Sequence, residues 1–502
     1  MLAIPGAIAL AVTSTTIAGW HSDNDDGRPE NDDYYELYER LNLTYGIDLY
    51  LAGLRLDTAT FVGEPVTELE DRYTPEKVWV GRNGRILEAT LGDAYVSFGR
   101  GLSLSLRKID ELGVDTTLRG AKLLLHGGAV SAQLVAGTPN PGNVDEASGR
   151  SIDDPYDLCG GAEVHVRLGE RLTVGAQAAA VAFHDGLVVP VGRWEDVVVN
   201  AGPTLEAPRL TDRIGVYLEG IAQVRTVAPD EERARGFGAY GAATIALGPT
   251  TLLVEGKAYG DLRPLAPSLP PAFSSVVYAT PPTVERVLQI LDHPQRRVYG
   301  GRVRADWSLA PELLGYASYG VFRDHEGYAN PRAPAELEPA TIFDPYVGVE
   351  RRWDDARSRA LLSTGYRLVL LDETQHLVRG DLHGEYDLVQ ALPGRFSLEL
   401  SGLHDEREKI TPSVRERFRE GTVQLGLRYH PFVTIAGGYD YTTEPTQPKR
   451  DSFSGSVQWD VTPSSSVRLF AGASRGGLRC VSGVCRTFPP FEGVKVTATI
   501  RF

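Results

Sequence analysis

The last nine residues alternate strictly: Val494, Val496, Ala498, Ile500 and Phe502 are apolar, and Lys495, Thr497, Thr499 and Arg501 between them are polar. A period of two puts the first set on one face of a β-strand and the second on the other. The same alternation recurs through most of the chain. In 422 to 430, Val423, Leu425, Leu427 and Tyr429 alternate with Thr422, Gln424, Gly426, Arg428 and His430. In 302 to 307, Arg302, Arg304 and Asp306 alternate with Val303, Ala305 and Trp307. In 378 to 388, Val378, Leu382, Tyr386 and Leu388 share a face with two glycines, and Arg379, Asp381, His383, Glu385 and Asp387 form the other. No helical layer accompanies these runs. The pattern predicts an all-β chain, and its repetition favours one closed antiparallel barrel over a soluble sandwich.

Counting such runs from residue 34 onward gives about 22 strands, within a range of roughly 18 to 24. Very short turns, mostly built on Pro or Gly, fall at 126–129, 168–171, 247–250, 309–312, 391–394, 429–432 and 461–464. Longer polar connections fall between them, at 139–160, 261–296, 324–343, 405–417, 443–451 and 476–490. A barrel of this size leaks unless something fills it. Residues 93–117 carry Gly99, Gly101 and Gly113 with Arg100, Arg107, Lys108, Asp110 and Glu111. They read either as a segment folded inward or as two ordinary wall strands. Within 280–294, Val284, Val287, Leu288 and Leu291 follow prolines at helical spacing and Pro294 closes the run, which predicts a helix in the longest loop. That helix either packs locally or offers a cap or docking surface.

Composition removes several other classes. The chain has 502 residues, 54 Gly, 32 Pro, one Met and a formal charge of -15. Its length would fit three soluble domains, but no composition break separates them. Beyond the amino terminus no run reaches the ~18 apolar residues of a helical membrane span. The acidic balance argues against nucleic acid, which needs clustered Lys and Arg. Residues 1–18 read as an export signal, an apolar stretch ending in Thr16-Ile17-Ala18 before Gly19, although no Lys or Arg precedes it. The alternative is a buried first strand or helix. Residues 19–33, with Asp23, Asp25, Asp26, Asp32 and Asp33, read as an acidic tether. Asp23-x-Asp25-x-Gly27 only partly matches a calcium loop, because the bidentate acid is missing, so no metal is expected.

Cys480 and Cys485 flank a Ser-Gly turn, and a disulfide closing that hairpin loop is the expected arrangement, with unpaired thiols as the alternative. Cys159 is left over. Catalytic motifs are missing: the chain holds no G-x-S-x-G elbow, H-E-x-x-H helix or phosphate loop. Asp381, His383 and Glu385 are a conceivable acid/base group, yet neighbours on one strand face are also where salt-bridged lumen charges sit. No enzyme activity and no cofactor are expected.

The segment Arg475-Gly-Gly-Leu-Arg-Cys480 through Phe502, and the segment Leu91-Gly-Asp-Ala-Tyr-Val-Ser-Phe-Gly-Arg-Gly101 through Asp115-Thr-Thr-Leu-Arg-Gly120, resemble a family of large Gram-negative outer-membrane β-barrels. The resemblance implies a transmembrane barrel in the outer membrane, short turns in the periplasm and long loops outside. It also implies contact with outer-membrane lipid and with the barrel-assembly machinery through the strand ending at Phe502. It implies no substrate and carries over no functional residue. In such a barrel the polar strand faces look into the lumen. Arg302, Arg304, Asp306, Arg379, Asp381, His383 and Glu385 then become candidates to line it, joined by Arg100 and Arg107 from the inward segment. The expected function is a channel or transporter for an unidentified solute. The alternative is a structural or docking barrel that anchors other envelope proteins.

Overall fold

The structure is a computed structural model that describes residues 8–23, 32–63, 71–142, 154–184, 194–226, 234–262, 276–284, 297–330, 333–410, 414–445, 447, 449–481, 484–488 and 490–502. Among these residues, 24 strands form one closed antiparallel sheet. The wall opens with β1 (Ile8–His21), β2 (Tyr34–Ile47), β3 (Tyr50–Val62), β4 (Arg72–Asn83) and β5 (Leu87–Ala94). Four two-residue strands follow that do not join it: β6 (Val96–Ser97), β7 (Ser105–Leu106), β8 (Lys108–Ile109) and β9 (Val114–Asp115), with a 3-10 turn at Asp110–Leu112. The wall resumes with β10 (Thr117–Gly127), β11 (Val130–Asn140), β12 (Leu158–Leu168), β13 (Leu172–His184), β14 (Trp194–Thr211), β15 (Ile214–Thr226), β16 (Ala234–Leu247) and β17 (Thr250–Gly260). It continues through β18 (Val298–Ala310), β19 (Leu313–Asn330), β20 (Ala333–Trp353), β21 (Ser358–Leu371), β22 (Leu377–Ala391), β23 (Phe396–Ile410) and β24 (Arg415–Tyr429). The last wall strands are β25 (Val433–Thr442), β26 (Asp451–Thr462), β27 (Ser465–Ser474) and β30 (Phe491–Arg501), while β28 (Gly477–Val481) and β29 (Val484–Phe488) form a separate hairpin.

The first and last strands close the ring. β1 lies between β2 and β30, with Thr13 opposite Arg501 and His21 opposite Gly493. Val12 and Phe502 exchange backbone hydrogen bonds of 3.3 and 2.9 Å. Residues 8–21, which overlap the export signal expected over 1–18 and the tether expected over 19–33, form a wall strand in this structure. A cut before Gly19 would strip most of β1 and leave two facing strand edges unpaired. The remainder of the tether falls largely outside the described residues. β1 also accounts for part of the difference between about 22 strands and 24, since the count began at residue 34.

Two expected loops are strands. Residues 324–343 belong mostly to β19 and β20, and 405–417 mostly to β23 and β24. The expected helix within 280–294 is not seen over the described part, 280–284, which has no regular secondary structure, and the rest lies outside the described residues. The β28–β29 register puts Cys480 directly opposite Cys485. Their side chains are outside the described set, so the disulfide is an expectation carried forward.

The wall is inside-out at mid-height. Leu218 is 48% exposed while its neighbour Glu219 is 3% exposed, and the same contrast separates Val164 from Glu163, Val199 from Asn200 and Leu382 from Asp381 and His383. Alternate side chains point to opposite faces, so the apolar set covers the outside and the polar set the inside. Aromatics mark two levels on the outer face. Near the short turns lie Phe396, Tyr429 and Trp459. Towards the other rim a contiguous ribbon runs Tyr386–His404–Tyr441–Tyr439–Phe453, with ring centroids 4.9 to 6.0 Å apart. Along β24, Gly421 under the ribbon and Tyr429 at the lower level are eight residues apart. That is roughly 26 Å along the strand and roughly 20 Å of height at ~40° tilt, close to the ~25 Å apolar band of membrane barrels.

Candidate functional site

Twenty-four strands spaced ~4.8 Å apart and tilted ~40° enclose a backbone cylinder roughly 48 Å across, far too wide for wall side chains to fill. Residues 95–116 occupy part of this space. They connect β5 to β10, which are paired directly in the wall with Ala94 opposite Leu118. The excursion is thus tied at both ends to adjacent strands. Its contacts reach β3 and β4 on one side and β12 to β16 on the other, and the contacting wall side chains are on the inner face. These contacts put the segment, here termed the plug, against the inner face of the wall.

The root of the plug is held by charge. Asp115 on β9 contacts Arg55 Nη1 and Lys77 Nζ and accepts a 2.6 Å hydrogen bond from Tyr95 Oη. Arg55 also binds Asp57 at 2.6 Å and Glu76 at 2.9 Å, and Arg40 reaches Asp57 at 3.2 Å. Three cationic and three carboxyl side chains converge in this buried cluster. Burial alone would raise the Asp115 pKa, but the adjacent Lys77 and Arg55 outweigh it and hold the carboxyl below its ordinary value. A bulge makes the cluster. Arg55 pairs with Lys77 and Leu56 with Pro75, so Glu76 is the extra residue and two consecutive side chains, Glu76 and Lys77, turn inward. Outward exposure switches accordingly from Tyr73 before the bulge to Val78 and Val80 after it.

The tip of the plug is held by hydrogen bonds. A tight turn closes from Gly101 N–H to the Phe98 carbonyl at 2.9 Å. Within it Gly99 N–H donates to Glu163 Oε1 and Arg100 N–H to Glu219 Oε2, both at 2.8 Å. Ser103 Oγ donates to Gln177 Oε1 at 2.5 Å, Gln177 Nε2 donates to Glu219 Oε1 at 2.7 Å, and Asn200 Nδ2 donates to the Ser103 carbonyl at 3.2 Å. Gly99 has φ +50°, and a Cβ there would meet Glu219 Oε1 at 2.7 Å, so the close approach needs glycine.

A strap from the longest connection backs the plug. Residues 276–284 run beside 101–105, with Ser105 N–H to the Tyr278 carbonyl at 2.7 Å and Thr280 N–H to the Gly101 carbonyl at 2.9 Å. Tyr278 Oη donates to Asp157 Oδ2 at 2.5 Å. Burial and the neighbouring Asp157 push the Tyr278 phenol well up, and burial raises Asp157 as well, so the phenol keeps the proton it donates. Around plug and strap the inner wall turns apolar: Phe98, Leu104 and Tyr278 pack with Val135, Val181 and Val198, and Leu102 and Val284 with Ile221, Phe322 and Val369.

The residues expected to line the lumen fall into three groups. Arg100 and Arg107 are on the plug, where the Arg100 guanidinium sits 4.7 Å from the Tyr217 ring centroid and Arg107 is half-buried. Arg302, Arg304 and Asp306 share the inner face of β18, with Arg302 Nε 3.1 Å from Glu255 and Arg304 2.7 Å from Asp306. Arg379, Asp381, His383 and Glu385 share the inner face of β22, with Arg379 2.6 Å from Asp381 and Ser363 Oγ 3.4 Å from Glu385. The fold does not bring these groups together, and Arg379–Asp381 is a salt-bridged pair. Sequence reasoning missed Glu163, Gln177, Glu219 and the Arg55 cluster. Glu163 and Gln177 interrupt runs of small residues, which was a legible signal, but the Glu76–Lys77 doublet breaks period two and was not.

Replacing Glu219 by Ala orphans three donors, the Arg100 N–H, the Gln177 amide and the Tyr217 hydroxyl, at ~1–3 kcal/mol each. Hydrogen exchange at 98–104 is therefore expected to accelerate by roughly tenfold or more. Unchanged protection in the folded variant would remove Glu219 from the anchor.

No family model matches the chain, and no curated protein does. Solved structures share its fold. One is the siderophore receptor PirA from Pseudomonas aeruginosa, with 9% identity, TM-score 0.50, and coverage of 100% of this chain and 81% of that one. Another is a chain of the E. coli P pilus tip assembly intermediate PapC-PapD-PapK-PapG, with 10% identity, TM-score 0.52, and coverage of 99% of this chain and 61% of that one. The chain thus has the fold of large closed β-barrels.

Proposed function

We propose that this chain is an outer-membrane transport barrel whose lumen is gated by residues 95–116. The observation that carries the reading is the way the plug is held: hydrogen bonds and ion pairs to the inner wall at its root and tip, beside the apolar packing of Phe98, Leu102 and Leu104, with both ends tied into the wall. The polar contacts exchange for water contacts at small net cost, and the tied ends keep a displaced plug within the barrel. The outward apolar band between two aromatic levels supports the membrane setting. Inner-face pairs of both signs, Arg302–Glu255, Arg304–Asp306 and Arg379–Asp381, favour a hydrophilic solute. The exposed Phe502 at the end of β30 suits delivery by the barrel-assembly machinery. No specific observation favours the docking alternative.

Acid is the expected opener. Because the folded pKa of Asp115 lies below its ordinary value, the anchoring it supplies is complete above about pH 4 and is lost as pH falls through the folded value. Asp157, with a raised pKa, works in the opposite sense and favours the fold at low pH. In planar bilayers the purified protein is expected to be nearly silent at neutral pH and to begin conducting only when acidified below the ordinary carboxylate range, about pH 4. Equal conductance at both would show that Asp115 does not hold the gate.

A further inference from the structure

We propose that the outer face of the β23–β24 hairpin binds the phosphate-monoester headgroup of an outer-leaflet lipid, an inference that rests on the membrane setting above. Arg415, Arg417 and Arg419 occupy alternate positions on β24 and so share a face with the exposed Leu425, Leu427 and Tyr429. That face is the one turned away from the lumen. The three side chains are 65 to 71% exposed. Glu406 and Glu408 on β23 steady them: Arg417 contacts Glu406, Arg419 Nε lies 3.0 Å from Glu406, and Arg415 Nη2 lies 2.5 Å from Glu408. Three guanidiniums against two carboxylates leave one excess positive charge. Each guanidinium has five N–H donors and these contacts use only one or two of them, so planar donor edges remain for a phosphate.

The aromatic ribbon supplies the second, independent observation, because it fixes the depth. His404 and Tyr441 face each other across Gly421, with His404 Nδ1 3.1 Å from Tyr441 Oη. They close over the glycine so tightly that a Cβ there would meet His404 Nδ1 at 2.7 Å. Aromatic belts sit at headgroup level. Arg419 lies two residues beyond Gly421 and Arg417 four, about 7 and 13 Å along the strand, where the phosphates of lipids packed against Leu425 and Leu427 would stand. A row of arginines there is suited to a doubly charged monoester, for which bidentate guanidinium pairing is strongest.

The test compares wild type with the Arg415→Gln/Arg417→Gln/Arg419→Gln variant, both inserted in phosphatidylcholine vesicles and shown to be folded by heat-modifiable migration. Vesicles doped with lipid A, which carries phosphate monoesters on a disaccharide, supply the probe, and native mass spectrometry after extraction reads retained lipid. Wild type is expected to retain lipid A, and the variant to hold it roughly tenfold more weakly. Equal retention by the two folded proteins would overturn the assignment alone. Displacement of lipid A by the same concentration of inorganic phosphate would overturn the lipid as the source of the ligand. Failure of both proteins to insert in any vesicle would overturn the membrane setting and this inference with it.

Discussion

Excising residues 96–115, so that Tyr95 joins Thr116, is expected to raise single-channel conductance by at least ~10-fold over the wild-type level at neutral pH. The wall should tolerate the excision, because Ala94 already pairs with Leu118 and the shortened connection needs only a tight turn. The removed segment contributes nothing to the 24-strand sheet. It also holds the strap, through Ser105 and Gly101, so the strap loses both backbone partners and cannot replace it as a barrier. Heat-modifiable migration would show that the shortened barrel folds. A folded but silent variant would mean that the lumen is closed by something else.

The second large effect is expected from Asp115→Asn. The substitution keeps the shape of the side chain and removes its charge, leaving Arg55 and Lys77 buried beside one carboxylate fewer. Breaking a buried pair by removing one partner costs about 3–5 kcal/mol. The strain falls on the plug root, since Arg55 retains Asp57 and Glu76 while Lys77 loses the carboxylate it contacts. The variant should conduct at neutral pH without acidification, and protease should cut within 105–116. Lys108 offers the contrast. Its pair with Asp110 is solvent-exposed on the same segment, and Lys108→Ala should change plug stability by less than about 1 kcal/mol. Equal effects from the two substitutions would show that the buried cluster is not the anchor.

What the sequence disclosed and what it concealed follow from where each strand stands relative to the apolar band. β30, β24 and β18 were readable because their outer faces are apolar and their inner faces polar, which gives a clean period of two. The upper parts of β19, β20, β23 and β24 were read as loops because that contrast disappears there. Glu406, Glu408, Arg415 and Arg417 make the outer face polar above the aromatic ribbon, and Phe322, Ala340 and Ile342 make the inner face apolar around the strap. β1 was not legible as a wall strand because its small residues, Ala9, Ala11, Ser14 and Ala18, blur the alternation. The plug was visible only as a glycine- and charge-rich stretch with two readings. Its wall partners could not be named, because a hydrogen bond between Gly99 and Glu163 joins residues 64 positions apart with no local signature.

The most direct test of the gated barrel is to tie the plug to the wall and record conductance. In a background with Cys159, Cys480 and Cys485 replaced by Ser, the pair Ser103→Cys and Gln177→Cys would be bridged by a short, reducible bis-thiol reagent at the point where the native side chains meet at 2.5 Å. The bridged barrel should stay silent at acid pH, and reduction of the bridge should restore acid opening. Acid currents of the same size before and after reduction would contradict a plug that gates the lumen.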